Sequence, residues 1–286
     1  MAKKHIATIY ENNIQQFSCP ICKNSMELIQ SKSLVCSKNH TFDIAKQGYV
    51  NMLMRPVNSQ YDKQLFQSRR KIITESNLYA PLHKKILEII IENMDGKNVC
   101  KIFDAGCGEG SHLIMIKNLC ENIKVTGIGL DISKEGIRMA ARNDKESIWI
   151  VGDLANTPLK DKSCNMILNI LSPANYKEFN RLLAPNGRMI KVVPRPNYLK
   201  ELRVVLNQQK NPDTNEKIIS LFKENFSTVE QTELNYSKEI SQEELVHLVN
   251  MSPLTWNLND SEKNQIMEQG VSEITIDLDI LIGKND

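Results

Sequence analysis

Four residues near the start of the chain have the types and spacing of a metal site. Cys19 and Cys22 form a Cys-x2-Cys knuckle in SCPICKNSMEL, and after thirteen intervening residues come Cys36 and then His40, in VCSKNHTFD. Three thiolates and one imidazole complete the tetrahedral shell that Zn2+ prefers. No position is left for a metal-bound water, so such a zinc is structural, not catalytic. The intervening MELIQSKSLV reads as a hairpin that returns the second pair to the first, the construction of a zinc ribbon. The chain has seven cysteines and no secretory start, which argues against a disulfide framework. Cys100, Cys107, Cys120 and Cys164 lack metal-site spacing and read as ordinary small residues. His5, His83, His112 and His247 read as isolated surface or packing residues.

A second constellation is Asp104-x-Gly106-x-Gly108-x-Gly110 in NVCKIFDAGCGEGSHLIMIKNLC. It runs from an apolar strand, through a glycine-rich turn, into a helix with Leu113, Ile116 and Leu119 at helical spacing. The glycines permit tight backbone geometry and close approach of a ligand, and the helix start offers unpaired N–H groups. The next strand, KVTGIGLD, ends at Asp131, twenty-one residues after Gly110, where a carboxylate can accept hydrogen bonds from both hydroxyls of a ribose. The dinucleotide fingerprint is G-x-G-x-x-G, whereas here the glycines are spaced by two throughout. That spacing favours S-adenosylmethionine over NAD: the methyl donor has no phosphate and needs a carboxylate near its cationic aminoacyl end, a role Asp104 fits.

The elements that must position these residues follow from periodicity. SIWIVGDLANTPL supplies a third strand, after which Asp153 and Leu154 can meet the adenine amine and ring. CNMILNILSP supplies a fourth, ending at Asn169 to Pro173 on the edge where open α/β sheets bind ligands. NYKEFNRLLA reads as a helix leading through PNG to the strand RMIKVVPRP. EITIDLDILIG, apolar at alternate positions, is a late strand, and ISQEELVHLVNMSPLTWNL is helix and loop.

Composition sets the frame. The 286 residues are 41% hydrophobic with 12 Gly and 10 Pro, enough for a large core and unlike a disordered or fibrous chain. No apolar run approaches the ~20 residues of a membrane span, so a cytoplasmic protein with no membrane partner is expected. The formal net charge of +2 hides an asymmetry: residues 1–85 carry 13 Lys+Arg against 5 Asp+Glu. This basic end suits a polyanion such as nucleic acid, and equally a solvated lysine-rich surface.

In order along the chain, CPIC…C…H, HTFDIAKQGYVNML, a basic Arg-Arg followed by Tyr79-x-Pro81, DAGCGEG, SPANYKEFNRLLAPNGRMIKVVP and NMSPLTW resemble the bacterial 23S rRNA (guanine-N1)-methyltransferases. The resemblance implies an α/β fold: a Rossmann-like class I S-adenosylmethionine-dependent methyltransferase, with a mostly parallel seven-stranded sheet and a small zinc ribbon. It implies a zinc-binding RNA-recognition domain over 1–58, a helical linker lining the cleft over 59–80 and the methyltransferase domain over 81–286. The substrate would be a guanine N1 in a 23S rRNA hairpin or large-subunit precursor, a homodimer is left open, and in some members the product contributes to macrolide resistance. Cys19, Cys22, Cys36 and His40 match the zinc ligands; Tyr79, Gly108 and Glu109 match donor contacts, and Asp131 sits at the place of the ribose carboxylate. Two positions depart from the pattern: Tyr198 stands where relatives commonly have a donor-reaching histidine, and Tyr61 stands where members usually have glycine before Asp62. The catalytic group is not identified; Asp62, Arg69 and Asn169 are candidates for assisting loss of the N1 proton, each with a structural role as the alternative. A small-molecule methyltransferase and a non-catalytic rRNA-binding assembly factor are the rival readings.

Overall fold

The runs KIFDA, GIGL, IWIV and MILNI lack the polar alternation of a half-exposed strand, and each lies buried in the middle of one sheet. The computed structural model describes residues 2–57, 61–94, 99–206 and 213–285. The boundary expected between residues 58 and 59 lies outside the described residues. The strands are β1 (Met26–Ile29), β2 (Ser33–Cys36), β3 (Thr41–Asp43), β4 (Tyr49–Asn51), β5 (Val99–Ala105), β6 (Lys124–Asp131), β7 (Ile148–Val151), β8 (Cys164–Ile170), β9 (Leu183–Pro194), β10 (Thr228–Glu239) and β11 (Glu273–Lys284). The helices are α1 (Ala2–Asn13), α2 (Lys63–Arg70), α3 (Ala80–Glu92), α4 (Ser111–Leu119), α5 (Lys134–Asn143), α6 (Tyr176–Leu182), α7 (Lys200–Val205), α8 (Asp213–Asn225), α9 (Gln242–Met251) and α10 (Asp260–Glu268).

Strands β1 to β3 form the small antiparallel sheet of the ribbon, with the expected hairpin joining β1 to β2. The other eight form one sheet in the order β10-β11-β9-β8-β5-β6-β7-β4. All pairs from β9 to β4 are parallel, and β11 runs antiparallel to both β9 and β10. Strand order diverges at β5, with β6 on one side and β8 on the other, so a crevice opens where the glycine loop begins.

Seven of these strands make the expected mostly parallel sheet. The eighth, β4, comes from the ribbon end and pairs Tyr49, Val50 and Asn51 with Trp149, Ile150 and Val151. The ribbon is therefore fused to the sheet. Ile6, Tyr10, Phe17, Leu34 and Val50 share one core with Phe103, Ile128, Leu130 and Ile150, and the Tyr10 hydroxyl donates to the Gly48 carbonyl at 3.1 Å. Among the described residues no helix is long and apolar enough to cross a membrane.

Two strands differ from the sequence reading. β10, TVEQTELNYSKE, has too few apolar residues to signal a strand, because it is the sheet's edge and has β11 as its neighbour over all twelve residues. β11 alternates apolar and polar residues yet is buried from Ile274 to Gly283. Its Asp277 and Asp279 lie 3.1 and 3.3 Å from Arg195 nitrogens, which makes their burial tolerable.

Trp149 on β7 determines where glycine is needed around the sheet. It is fully buried, and its Nε1 donates to the Asp144 carbonyl at 3.0 Å. A Cβ on Gly129 would meet its ring at 2.3 Å, and one on Gly110 at 2.5 Å. Gly129→Ala should cost roughly 1–3 kcal/mol by overpacking, and far less in a Trp149→Ala background. A double-mutant cycle by denaturant unfolding checks this; equal costs in both backgrounds would disprove the steric account.

Candidate active site and metal centre

The ribbon brings its four expected ligands together. The sulfurs of Cys19, Cys22 and Cys36 and a ring nitrogen of His40 all lie within 4.8 Å of one another. His40 Nδ1 is 3.4 Å from both Cys19 Sγ and Cys36 Sγ, and Cys22 Sγ is 3.6 Å from Cys36 Sγ. A tetrahedral Zn2+ with ordinary bond lengths sets its ligand atoms about 3.6–3.8 Å apart, so the cluster fits zinc. Burial opposes ionisation of Cys36, but backbone N–H groups of Lys38 and His40 directed at its sulfur bring the thiol down to about 6, toward the thiolate that binds metal.

At the end of β5 the chain turns through Gly106, Gly108 and Gly110, with φ of +77°, +60° and +81°. Gly106 is also required by space: a Cβ there would come within 2.0 Å of Ser172 Oγ. Leu154 lies on the same side, its Cδ1 3.9 Å from that position. Exposed Asp153, just after β7, accepts from the Ala155 N–H.

The helix start is less open than the sequence suggests. Gly108 N–H donates to Asp131 Oδ2 at 2.8 Å, and Ser111 N–H to Glu109 Oε2 at 2.9 Å. A carboxylate thus caps the turn where a dinucleotide enzyme would hold pyrophosphate, so the loop is unsuited to an anion. Asp131 takes a further bond from Ser133 N–H and has its carboxyl raised above the ordinary value, chiefly by burial.

Asp104 is buried and its Oδ2 has no hydrogen-bond partner. Burial pushes its carboxyl up to about 7; Arg69 counteracts this, and Asp131 and Glu109 add to it. An orphaned buried carboxylate beside a glycine loop fits a ligand that brings its own cation. Glu109 is fully buried, and its other oxygen accepts from Arg69 Nε at 3.0 Å. The Arg69 and Phe66 side chains lie over the loop, 3.6 and 3.5 Å from the place a Cβ on Gly108 would take. Tyr79 and Tyr198 join hydroxyl to hydroxyl at 2.6 Å.

None of the three candidates for proton removal is uncommitted. The Asp62 carboxylate caps α2 by accepting from Leu65 N–H, Arg69 pairs with Glu109, and Asn169 donates to the Ala105 and Pro173 carbonyls. Sequence reasoning missed Lys191, which is buried, has its ammonium lowered to about 8 by desolvation, and donates to Asn169 Oδ1 at 2.6 Å and the Ser172 carbonyl at 3.0 Å. Its signal was a lysine inside the apolar strand RMIKVVP. His83 and His112, expected to be isolated, are a buried hydrogen-bonded pair, His83 Nε2 to His112 Nδ1 at 2.9 Å, brought together where α3 packs on α4. Their spacing of 29 residues carries no sequence signal.

A doubly wound sheet, a left-handed glycine loop and a carboxylate closing the next strand define a class I S-adenosylmethionine-dependent methyltransferase, here with a zinc ribbon. Residues 17–63 match the family model described as RlmA, N-terminal, and residues 102–187 match a methyltransferase domain. A Bacillus subtilis protein with the provisional name 23S rRNA (guanine-N(1)-)-methyltransferase YxjB is 38% identical, over 95% of this chain and 98% of that one. The 23S rRNA (guanine(748)-N(1))-methyltransferase of Streptomyces fradiae is 29% identical over 93% of this chain and 95% of its own. A solved Anabaena variabilis structure, described as a provisional methyltransferase from an antibiotic biosynthesis pathway, superposes with a TM-score of 0.54 at 16% identity, covering 70% and 96% of the two chains; it speaks for the fold alone. The chain belongs to the 23S rRNA (guanine-N1)-methyltransferase family, and is an enzyme that uses S-adenosylmethionine and holds a structural zinc.

Cys22→Ser should lose its zinc and, because the ribbon shares a core with the sheet, melt at lower temperature; a metal content equal to wild type would count against the site. Asp104 yields a pH prediction. Its folded value of about 7 lies above the ordinary 3.8, so stability is full below about pH 4 and is lost as pH rises through 7. Donor-free Asp104→Asn should therefore melt above wild type at pH 8, with a smaller gap at pH 5, while its donor affinity falls tenfold or more. Thermal melts and calorimetry test both arms, and a pH-independent gap would exclude a buried carboxylate as its source.

Proposed function

We propose that this enzyme transfers a methyl group from S-adenosylmethionine to N1 of a guanine in a 23S rRNA hairpin. The observation that carries the reading is the fusion of a zinc ribbon, through β4, to the same sheet that bears the donor loop, in a chain whose relatives match it nearly end to end. The basic charge of residues 1–85 supports a polyanionic substrate.

When bound, the donor supplies an electrophilic methyl group on a sulfonium. The residues fit it as follows. Asp104 would meet its ammonium, Asp131 would accept from the ribose hydroxyls, and Asp153 and Leu154 would receive the adenine. Gly106 and Gly108 would let the donor approach the backbone, Glu109 keeps Arg69 over the loop, and the Tyr79–Tyr198 pair would close the aminoacyl end. Catalysis then consists mainly of holding guanine N1 in line with the methyl group, with the N1 proton lost before or during transfer. N1 lies on the pairing edge, so the guanine must be unpaired or flipped out. A ribosomal RNA substrate places the enzyme in the cytoplasm. A role in macrolide resistance follows only if the methylated hairpin lies in the drug-binding exit tunnel.

Incubation with the donor and unmodified large-subunit rRNA, naked or in particles, followed by reverse transcription, should give one new donor-dependent stop at a hairpin guanine, because an N1 methyl blocks pairing. No stop on either substrate, despite bound donor, would point to a small-molecule substrate.

A further inference from the structure

Two large aromatic side chains stay at the surface and touch each other. Tyr61 and Trp256 are 39% and 40% exposed, and their rings meet edge to face with centroids 5.2 Å apart. Tyr61 also lies 6.0 Å from the ring of buried Phe66, which itself covers Gly108. A row of three rings thus leads from the donor loop out to solvent.

The two outer rings come from distant parts of the chain and are held in place. Tyr61 immediately precedes Asp62, the cap of α2. Trp256 follows the turn Pro253–Thr255 after α9, where buried Thr255 donates its hydroxyl to the Ser252 carbonyl at 2.9 Å. Helix α2 is tied to α9 by Ser68 Oγ and His247 Nδ1, 3.2 Å apart. Leaving an indole and a phenol in water forgoes the burial that aromatic rings normally contribute, and such pairs are the usual means of holding an unpaired base.

Helix α2, which is capped by Tyr61's neighbour Asp62, also carries cations. On another face of α2, Lys63 and Arg70 line a groove of about 250 Å³ with Arg142 of α5. Arg70 Nη1 is buried with no hydrogen-bond partner, and Glu135 in the groove is bound by Arg138 at 2.6 Å. Three cations with an unmet guanidinium donor suit the phosphates of a nucleic-acid strand.

We propose that Tyr61 and Trp256 form the stacking platform for the target guanine, with Lys63, Arg70 and Arg142 holding phosphates of the strand beside it. The proposal rests on the rRNA reading above. A guanine whose N1 is to be methylated leaves its pair and its stack, and aromatic faces beside the donor loop restore the stacking it has lost.

The test uses the full-length, zinc-loaded protein. Trp256→Ala and Tyr61→Ala should bind donor within about twofold of wild type while KM for the rRNA hairpin rises roughly tenfold and kcat changes less. Trp256→Phe should recover most of the loss, and melting temperatures of the alanine variants equal to wild type should exclude a folding defect. The chain has two tryptophans and Trp149 is fully buried, so contact quenching by an added ligand reports on Trp256. A hairpin with an unpaired guanine should quench the wild type and leave Trp256→Phe unchanged. Wild-type KM in both alanine variants, or no quenching, overturns the platform; quenching by an unstructured acidic peptide in place of RNA would assign the pair to a protein partner and also overturn it. If the wild type methylates no rRNA, the functional reading fails separately, and quenching by a short guanine oligonucleotide still decides whether the rings stack on a base.

Discussion

One ion pair, between the partly buried guanidinium of Arg69 and the carboxylate of Glu109, holds the glycine loop in its shape. Arg69 bonds to the fully buried carboxylate of Glu109, and its charge offsets those of Asp104 and Asp131. Without it, three carboxylates would share a small, poorly solvated space, which would drive at least one of them to take up a proton. A buried ion pair contributes little net stability, because desolvation cancels most of the attraction. Its value here is positional: it fixes α2, and with it Phe66, over the glycine loop.

The same arrangement sorts ligands. Glu109 caps the helix start that would otherwise attract phosphate, and Asp104 remains without a partner. The site therefore disfavours an anion and is completed by a cation, which matches a sulfonium donor with a free ammonium and no phosphate. Asp104 is costly to the protein as it stands, because its carboxylate is buried with one oxygen unpartnered.

The ribbon is joined to this machinery by strand pairing and shared core, not by a flexible tether. β4 extends the parallel sheet at β7, and Tyr10, Phe17 and Val50 pack under the strands that carry Asp104 and Asp131. Zinc stabilises a ribbon too small to supply a core of its own. Whatever the ribbon grips is therefore held at a set distance from the methyl donor.

The sequence by itself determined the features that depend on local spacing. The four zinc ligands, the glycine turn, Asp131 at a strand end and the apolar strands are all set by contacts within a few residues or by one repeat period, and they could be read directly. Features that depend on two distant segments meeting were not legible. Arg69 with Glu109, His83 with His112, Lys191 with Asn169 and Tyr61 with Trp256 are separated by 22 to 195 residues, and nothing in the identity of one member names the other. Strand β10 was hidden because an edge strand needs few apolar residues, and β4 because three residues carry no periodicity. Only the tertiary structure decided these, because burial and backbone pairing select partners by three-dimensional proximity, and it is burial that turns ordinary carboxylates and amines into groups with altered affinity for a proton.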